Sequence, residues 1–206
     1  TLTTEEVERV CSFFIDPAHE TLPNDDFKLN EFKADSRSFS NWMLRNVLPH
    51  RQPGYAIVVL SMKKVGNVPG DATAEQMEAM AELADRYSFG ELRITHKQNV
   101  VLADVRKKDL ISLWQEATAH ELTEPNFGLL TDIISCPGAE FCTLANARCI
   151  PLAKMIAERF ENIDFQHDIG DISLNISGCM NACGQHHIGN IGITGVEKKD
   201  HEEWYQ

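Results

Sequence analysis

Apolar residues recur at helical spacing near the start of the chain. The stripe runs from Val7 to Phe14 and includes Cys11, and the capping pair Thr3 and Glu6 precedes it. Residues three and four positions apart share one face of a helix. The pattern therefore predicts an amphipathic N-terminal helix in which Cys11 is a buried structural thiol.

Proline and glycine divide the rest of the N-terminal quarter. The polar stretch 17–35 has no clean period and is typical of a loop, whereas 38–48 is predicted to form a short helix. Residues 49–54 read Pro-His-Arg-Gln-Pro-Gly, and such residues mark breaks between elements. We therefore expect a domain boundary there, after an N-terminal helical and linker segment that spans residues 1–53.

The middle of the chain alternates strand and helix patterns. Their order, β-α-β-β-α, indicates an α+β ferredoxin-like half-domain over residues 54–125. Its strands are predicted at 55–62, 92–95 and 100–105, and its helices at 73–90 and 107–119.

The last section, residues 126–206, is predicted to be a second α+β unit. A helix over 143–160, with a kink at Pro151, is followed by strands over 171–176 and 188–196. The sequence does not begin with methionine and stops where another strand is starting. We therefore expect a piece of a longer protein, with this second unit truncated at its C-terminus.

Composition narrows the classes of partner. The sequence has 206 residues, and its 31 acidic and 19 basic side chains give a formal charge of −12. Binding to nucleic acid or to anionic lipid needs a basic face, so neither partner is expected. The longest aliphatic stretch, Ala56–Leu60, is far shorter than a membrane span, and no signal-peptide pattern is present. A cytoplasmic globular protein is the expectation.

The cysteines carry the candidate chemistry. Cys136 and Cys142 are separated by five residues, and Cys179 and Cys183 by three, and both pairs lie beside turn-forming residues. Four thiolates from two turns are the ligand set of a [4Fe–4S] cluster or of a structural zinc site. Zinc pairs usually come from tighter knuckles, so the wide first gap favours a cluster. Zinc, free thiols and disulfides remain the alternatives.

Two segments together resemble one family. The cysteine pattern, including Ser-Gly-Cys-Met-Asn-Ala-Cys-Gly at 177–184, is similar to the cluster motif of sirohaem-dependent sulfite and nitrite reductases. Residues 93–99, Arg-Ile-Thr-His-Lys-Gln-Asn, resemble the R-x-T-x-x-Q-N segment of the same family. The resemblance covers residues 54–200. It implies a ferredoxin-like half-domain followed by part of a sirohaem/[4Fe–4S]-binding α+β domain.

The resemblance implies a set of cofactor ligands. Cys183 would also be the axial ligand of the sirohaem iron, and backbone amides around Asn181 would hydrogen-bond cluster sulfurs. Arg93 would pair with a carboxylate of the macrocycle. The implied cluster ligands are Cys136, Cys142, Cys179 and Cys183, and the residues implied to approach the macrocycle are Arg93, Thr95, Gln98 and Asn99.

The resemblance also implies a reaction and its partners. The reaction is the six-electron reduction of sulfite to sulfide in sulfur assimilation, with reduction of nitrite to ammonia as the alternative. A flavoprotein or a ferredoxin would donate the electrons, and a missing N-terminal half would hold the anion. Such a fragment is expected to carry the cluster ligands without being a competent reductase, and both cofactors can be absent from it. The rival hypothesis from another class is a zinc-binding module without catalysis.

Several nearby residues have ordinary structural explanations. Cys149 is predicted to pack in the core, and Arg93 has surface carboxylates within sequence reach, such as Glu91. His186 and His187 follow the last cysteine and either donate protons near the cofactor or are simply solvated.

Overall fold

Two four-stranded sheets organise the chain, whose computed structural model describes residues 2–15, 17–23, 27–199 and 202–206. The first sheet is antiparallel in the order β1-β2-β4-β3. It consists of β1 (Val47–Pro49), β2 (Tyr55–Leu60), β3 (Arg93–Ile94) and β4 (Val100–Arg106).

The second sheet is mixed, with the order β5-β6-β7-β8. Its first three strands are parallel, and the last pairs antiparallel. It consists of β5 (Ile134–Ser135), β6 (Leu174–Ser177), β7 (Ile191–Lys199) and β8 (Glu202–Tyr205).

Helices flank both sheets, and the described part of the chain has none long and apolar enough to cross a bilayer. A capping box begins the helix Ala74–Tyr87. The Thr73 side chain accepts the N–H of Gln76, and the Gln76 side chain accepts the N–H of Thr73. The helices are α1 (Thr4–Cys11), α2 (Phe27–Asp35), α3 (Arg37–Asn46), α4 (Ala74–Tyr87), α5 (Leu110–Ala119), α6 (Ile150–Arg159) and α7 (Ile163–Ile169).

The predicted α+β class and the β-α-β-β-α order are confirmed, as β2-α4-β3-β4-α5. The first core lies between the first sheet and helices α3, α4 and α5. Its largest fully buried side chains include Phe39 and Trp42 of α3. Burial of these two rings, together with pairing of β1 against β2, attaches residues 37–49 to the ferredoxin-like unit.

Three local predictions were wrong. The stretch 17–35, expected to be a loop, contains α2, because packing of Leu29 and Phe32 on the core stabilises a helix without an amphipathic period of its own. Cys11 is exposed rather than buried, since none of the residues of α1 is buried. Pro151 lies in the first turn of α6, where a missing N–H costs no helical bond, so it begins the helix instead of kinking it.

Candidate cofactor site

Parallel pairing brings the two cysteine segments to one edge of the second sheet. Strand β5 ends one residue before Cys136 and β6 ends two residues before Cys179, and Ser135 is in register with Ile176. The Cys136 N–H donates to the carbonyl oxygen of Ile176 at 3.0 Å. Because parallel strands have their carboxyl ends at the same edge of a sheet, the two cysteine loops leave the sheet side by side.

Gly178 ties the two loops together. Its carbonyl oxygen accepts the N–H groups of Asn146 and Ala147 at 2.8 and 3.1 Å, and its own N–H donates to the sulfur of Cys136 at 3.1 Å. A Cβ atom at position 178 would lie 2.8 Å from the carbonyl oxygen of Ala147. Glycine is therefore required here for the loops to approach so closely.

The second cysteine loop is a tight turn held onto the sheet. The Ala182 N–H donates to the carbonyl oxygen of Cys179 at 3.3 Å, and Ala182 has a left-handed φ of 57°. Gly184 donates its N–H to the hydroxyl of Ser177, and a Cβ there would lie 1.9 Å from the carbonyl oxygen of Ile176. The turn thus presents Asn181 and Cys183 to solvent while its base is fixed against β6.

The four predicted cluster thiols lie on the loops at this edge and differ in their exposure to solvent. Cys136 and Cys179 are buried, Cys142 is half-buried and Cys183 is exposed. Among the described residues, no three cysteine sulfurs lie within 4.8 Å of one another. Zinc–thiolate bonds of about 2.3 Å would require sulfurs roughly 4 Å apart, whereas each thiolate of a four-iron cluster binds a different iron. The described thiols are therefore not closed around a single zinc ion, and four of them on two adjacent loops match the ligand count of a [4Fe–4S] cluster or of a zinc site that closes on binding.

Cys149 is fully buried in a core beside the second sheet, with Ile133 and Ile176, as the sequence predicts, and it also contacts a predicted ligand. Its sulfur lies 3.5 Å from that of Cys136. The pKa of Cys136 is lowered to about 6, first because Cys149 donates a hydrogen bond to it and further because Gly178 and Gly138 donate their N–H groups, against the opposing effect of burial. The pKa of Cys149 is raised, because its proton is held by Cys136 and the thiol is buried.

The predicted macrocycle segment, residues 93–99, consists of β3 and the turn that leads to β4. Thr95 donates its backbone N–H to the carbonyl oxygen of Asn99 at 2.9 Å, and the Asn99 N–H donates to the Thr95 hydroxyl at 3.1 Å. Gln98, with a φ of 58°, turns its side-chain amide to Ser135. The amide nitrogen donates to the Ser135 carbonyl oxygen at 2.8 Å, and the amide oxygen accepts the Ser135 N–H at 3.0 Å.

Asn99 is buried beneath this turn. Its side-chain oxygen accepts the N–H of Met62 at 3.0 Å, and its amide nitrogen donates to Asp132 at 2.8 Å. Asp132 also accepts the Gly128 N–H at 3.1 Å and forms a buried ion pair with Lys63 at 3.4 Å. Burial lowers the pKa of Lys63 despite this pairing. These residues form a polar network that joins the ferredoxin-like unit to the segment just before β5.

Arg93 differs from its neighbours in the motif because its side chain extends into solvent. Its guanidinium lies 3.6 Å from Glu91 and 3.9 Å from Asp104, so the surface pairing expected as the ordinary explanation is present. The structure thus brings the four cysteines to one edge and aims Arg93 outward, while Gln98 and Asn99 face protein groups. His186 is half-buried beside the exposed His187, with ring centroids 5.6 Å apart.

Comparison with known proteins finds similarity to one enzyme group. Residues 49–120 match the family model described as the nitrite/sulfite reductase ferredoxin-like half domain. The chain is 29% identical over 165 residues to the chloroplastic ferredoxin–nitrite reductase of Spinacia oleracea, covering 78% of this chain and 26% of that protein. It is 31% identical over 173 residues to the ferredoxin–nitrite reductase of Synechococcus elongatus, covering 81% and 32%.

A sulfite reductase is also among the relatives. The NADPH sulfite reductase haemoprotein beta-component of Baumannia cicadellinicola is 30% identical over 133 residues, covering 63% of this chain and 23% of that protein. Among solved structures, the NirA protein of Mycobacterium tuberculosis superposes with a TM-score of 0.59 at 25% identity, covering 78% of this chain and 29% of that one. The chain therefore spans about a quarter to a third of the length of these relatives, and the three reductases among them are oxidoreductases by name.

Proposed function

Because this chain belongs to the nitrite/sulfite reductase family, we propose that it is the part of a sirohaem-dependent reductase that holds a [4Fe–4S] cluster. One observation carries the proposal. Two cysteine loops at the carboxyl edge of parallel strands are joined by Gly178, whose N–H already donates to the sulfur of Cys136. Backbone N–H groups directed at sulfur are the contacts that stabilise thiolate ligands and tune the potential of iron–sulfur clusters.

In this proposal each cysteine has a role. When bound, the cluster and sirohaem would relay electrons from an external donor protein to the anion that is reduced. Cys183 is the proposed shared ligand, since it is the most exposed of the four and can reach a group outside the chain. The other three cluster ligands are Cys136, Cys142 and Cys179.

The macrocycle segment divides into two kinds of role. Arg93 extends into solvent and is the proposed partner of a macrocycle carboxylate, for which its planar guanidinium is well suited. Gln98 and Asn99 are proposed as positioning residues, because their amides fix Ser135 and Asp132 next to the first cysteine loop. Thr95 closes the turn that holds both, and Asn181 is proposed to bring its backbone amide toward the cluster sulfurs.

The cysteine loops also expose apolar side chains that a larger protein would cover. Such surface is costly to leave in water, and the relatives are about two and a half to three times as long as this chain. We therefore place the N-terminal half of the reductase, with its anion-binding cations, over these loops. The exposed apolar residues are Phe141, Leu144, Met180 and Ile188.

The substrate of the proposed reductase is nitrite or sulfite. The sulfite assignment inferred from the sequence gains no advantage from the relatives, which include nitrite reductases at equal or greater coverage. Nitrite is therefore as well supported, and a ferredoxin or a flavoprotein is the proposed electron donor. We place the protein in the cytoplasm.

Anaerobic reconstitution of the 206-residue chain with iron and sulfide tests the cluster proposal. We expect one [4Fe–4S] cluster per chain, seen as a broad visible charge-transfer band and by iron and sulfide analysis. Cys183→Ser is expected to lose most of the cluster, and Cys11→Ser, which alters an exposed thiol of α1, is the matched control. Stoichiometric zinc without the visible band, or equal loss in both variants, would overturn the proposal.

A further inference from the structure

Two histidines and an aspartate converge beside the first sheet. His19 Nε2 and His50 Nε2 lie 2.7 and 3.1 Å from the same oxygen, Oδ1 of Asp104, and one ligand atom from each residue lies within 4.8 Å of the others. We propose that His19, His50 and Asp104 form a binding site for a divalent transition-metal ion such as zinc. Two imidazoles and one carboxylate are a ligand set that such ions use widely.

The second oxygen of Asp104 is the independent sign of a ligand. Asp104 is 4% exposed, and its Oδ2 atom is buried without a hydrogen bond. A carboxylate that served merely to fix the two histidines would be expected to share them between its oxygens, because an unsatisfied buried oxygen is costly. Here both imidazoles crowd one oxygen, and Oδ2 lies 3.9 Å from the Arg93 guanidinium, too far for a hydrogen bond.

The spacing suits a bound ion after a small movement. Ligand atoms about 2.0–2.2 Å from a tetrahedral zinc ion lie roughly 3.4 Å apart. The observed distances of 2.7 and 3.1 Å would need to widen by about 0.7 and 0.3 Å. A cavity of about 310 Å³, lined by all three ligands, leaves room for a water or small ligand in the fourth position.

The surrounding rings fix the orientation of His19. Its ring meets Tyr55 edge-on at 4.9 Å and Phe89 edge-on at 5.7 Å, measured between centroids. The Tyr55 hydroxyl accepts the N–H of Glu20 at 3.0 Å, which holds the backbone beside the ligand. Ligands locked in this way lose little conformational freedom when the metal binds.

Binding requires a particular tautomer of His50. In the structure the N–H of Gln52 points at His50 Nδ1 at 2.8 Å, which leaves the ring proton on Nε2, facing Asp104. A metal at Nε2 moves that proton to Nδ1, which then donates to the carbonyl oxygen of Gln52, 3.3 Å away, while the Gln52 N–H gives up its hydrogen bond to Nδ1. Backbone carbonyls commonly orient metal-bound imidazoles in this manner.

The cations at the cavity set the charge balance. Arg51 and Arg93 both line it, and their positive charge opposes that of the metal. An ion bound by both oxygens of Asp104 would give the unpaired Oδ2 a partner, while the guanidinium of Arg93 stays 3.9 Å from that oxygen.

Histidine-resolved NMR of the 206-residue chain during a zinc titration tests the site without interference from zinc bound at thiolates. We expect the side-chain nitrogens of His19 and His50 to respond together, with His50 changing to the Nδ1-protonated tautomer. Asp104→Asn should weaken this response at least about tenfold. His187→Gln, which alters an exposed histidine beside the cysteine loops, is the control and should leave it unchanged.

Asp104 is buried, so Asp104→Asn could disturb folding, and a second variant is needed to test the site independently. His19→Gln keeps Asp104 and His50, and it should weaken the zinc response of the His50 side-chain nitrogens at least about tenfold. Side-chain nitrogens of His19 and His50 that stay unshifted when zinc exceeds all thiols and imidazoles would overturn the proposal. So would an equal response in the wild-type chain and both folded variants. Either result leaves the cluster proposal intact, because that proposal uses none of these three residues.

Discussion

The side-chain amide of Gln98 makes hydrogen bonds to both backbone polar groups of Ser135, as donor to the carbonyl oxygen and as acceptor from the N–H. Ser135 is the last residue of β5 and directly precedes Cys136. The turn of one sheet therefore fixes the start of the cysteine loop on the other. Gln98, in the segment predicted to approach the macrocycle, thus helps to position Cys136, a predicted cluster ligand, through the backbone of Ser135.

Gln98→Leu is expected to destabilise the chain by about 1–3 kcal/mol, because Ser135 loses both partners while remaining buried. Urea unfolding measures this loss. Cluster retention after reconstitution should fall in parallel, since the position of Cys136 is no longer fixed. His96→Gln, an exposed change in the same turn, should affect neither quantity.

Asn99→Ala is expected to cost about 3 kcal/mol, because the Met62 N–H and one oxygen of Asp132 both lose a buried partner. Asn99→Asp keeps the acceptor for Met62 but places a carboxylate against Asp132. Its destabilisation should shrink as the pH is lowered and the new carboxyl is protonated. A pH-independent difference between the two variants would contradict this network.

Two substitutions in the second cysteine loop should have opposite effects. Gly184→Ala forces a Cβ to within 1.9 Å of the carbonyl oxygen of Ile176, so we expect a severe loss of stability and no cluster. Ala182→Gly relieves a left-handed residue and should stabilise the chain by about 1 kcal/mol. Thermal unfolding of both variants measures the difference.

The lowered pKa of Cys136 predicts a thiolate at neutral pH in the iron-free chain. Ultraviolet thiolate absorbance should show a step near pH 6 that disappears in Cys136→Ser and moves toward the ordinary value near 9 in Cys149→Ala. Because the folded pKa lies below the unfolded one, the associated stability is present above about pH 9 and is lost as pH falls through about 6. The absence of a step below pH 8 would contradict the hydrogen bond from Cys149.

Local pattern was enough to predict the ferredoxin-like unit and to place both cysteine pairs on turns. Hydrophobic period and capping act within a few residues, so α4 and the strands around it were predictable. The contact of Cys149 with Cys136 and that of Gln98 with Ser135 depend on how two sheets meet, and no spacing in the sequence encodes them. The exposed Cys11 was mispredicted because an amphipathic stripe does not specify whether a partner surface exists.

The hydrogen bonds around Gly178 have a consequence for assembly. The bond from its N–H to the sulfur of Cys136 joins residues 42 positions apart, and its carbonyl adds two further links between the loops. The entropy of closing that long loop is thus offset by protein contacts before any iron arrives. We therefore expect cluster insertion to be fast and reversible, because the two cysteine loops are already held in place. Iron chelation should release the cluster while the surrounding sheet stays folded. Zinc fingers differ, because they unfold without their metal.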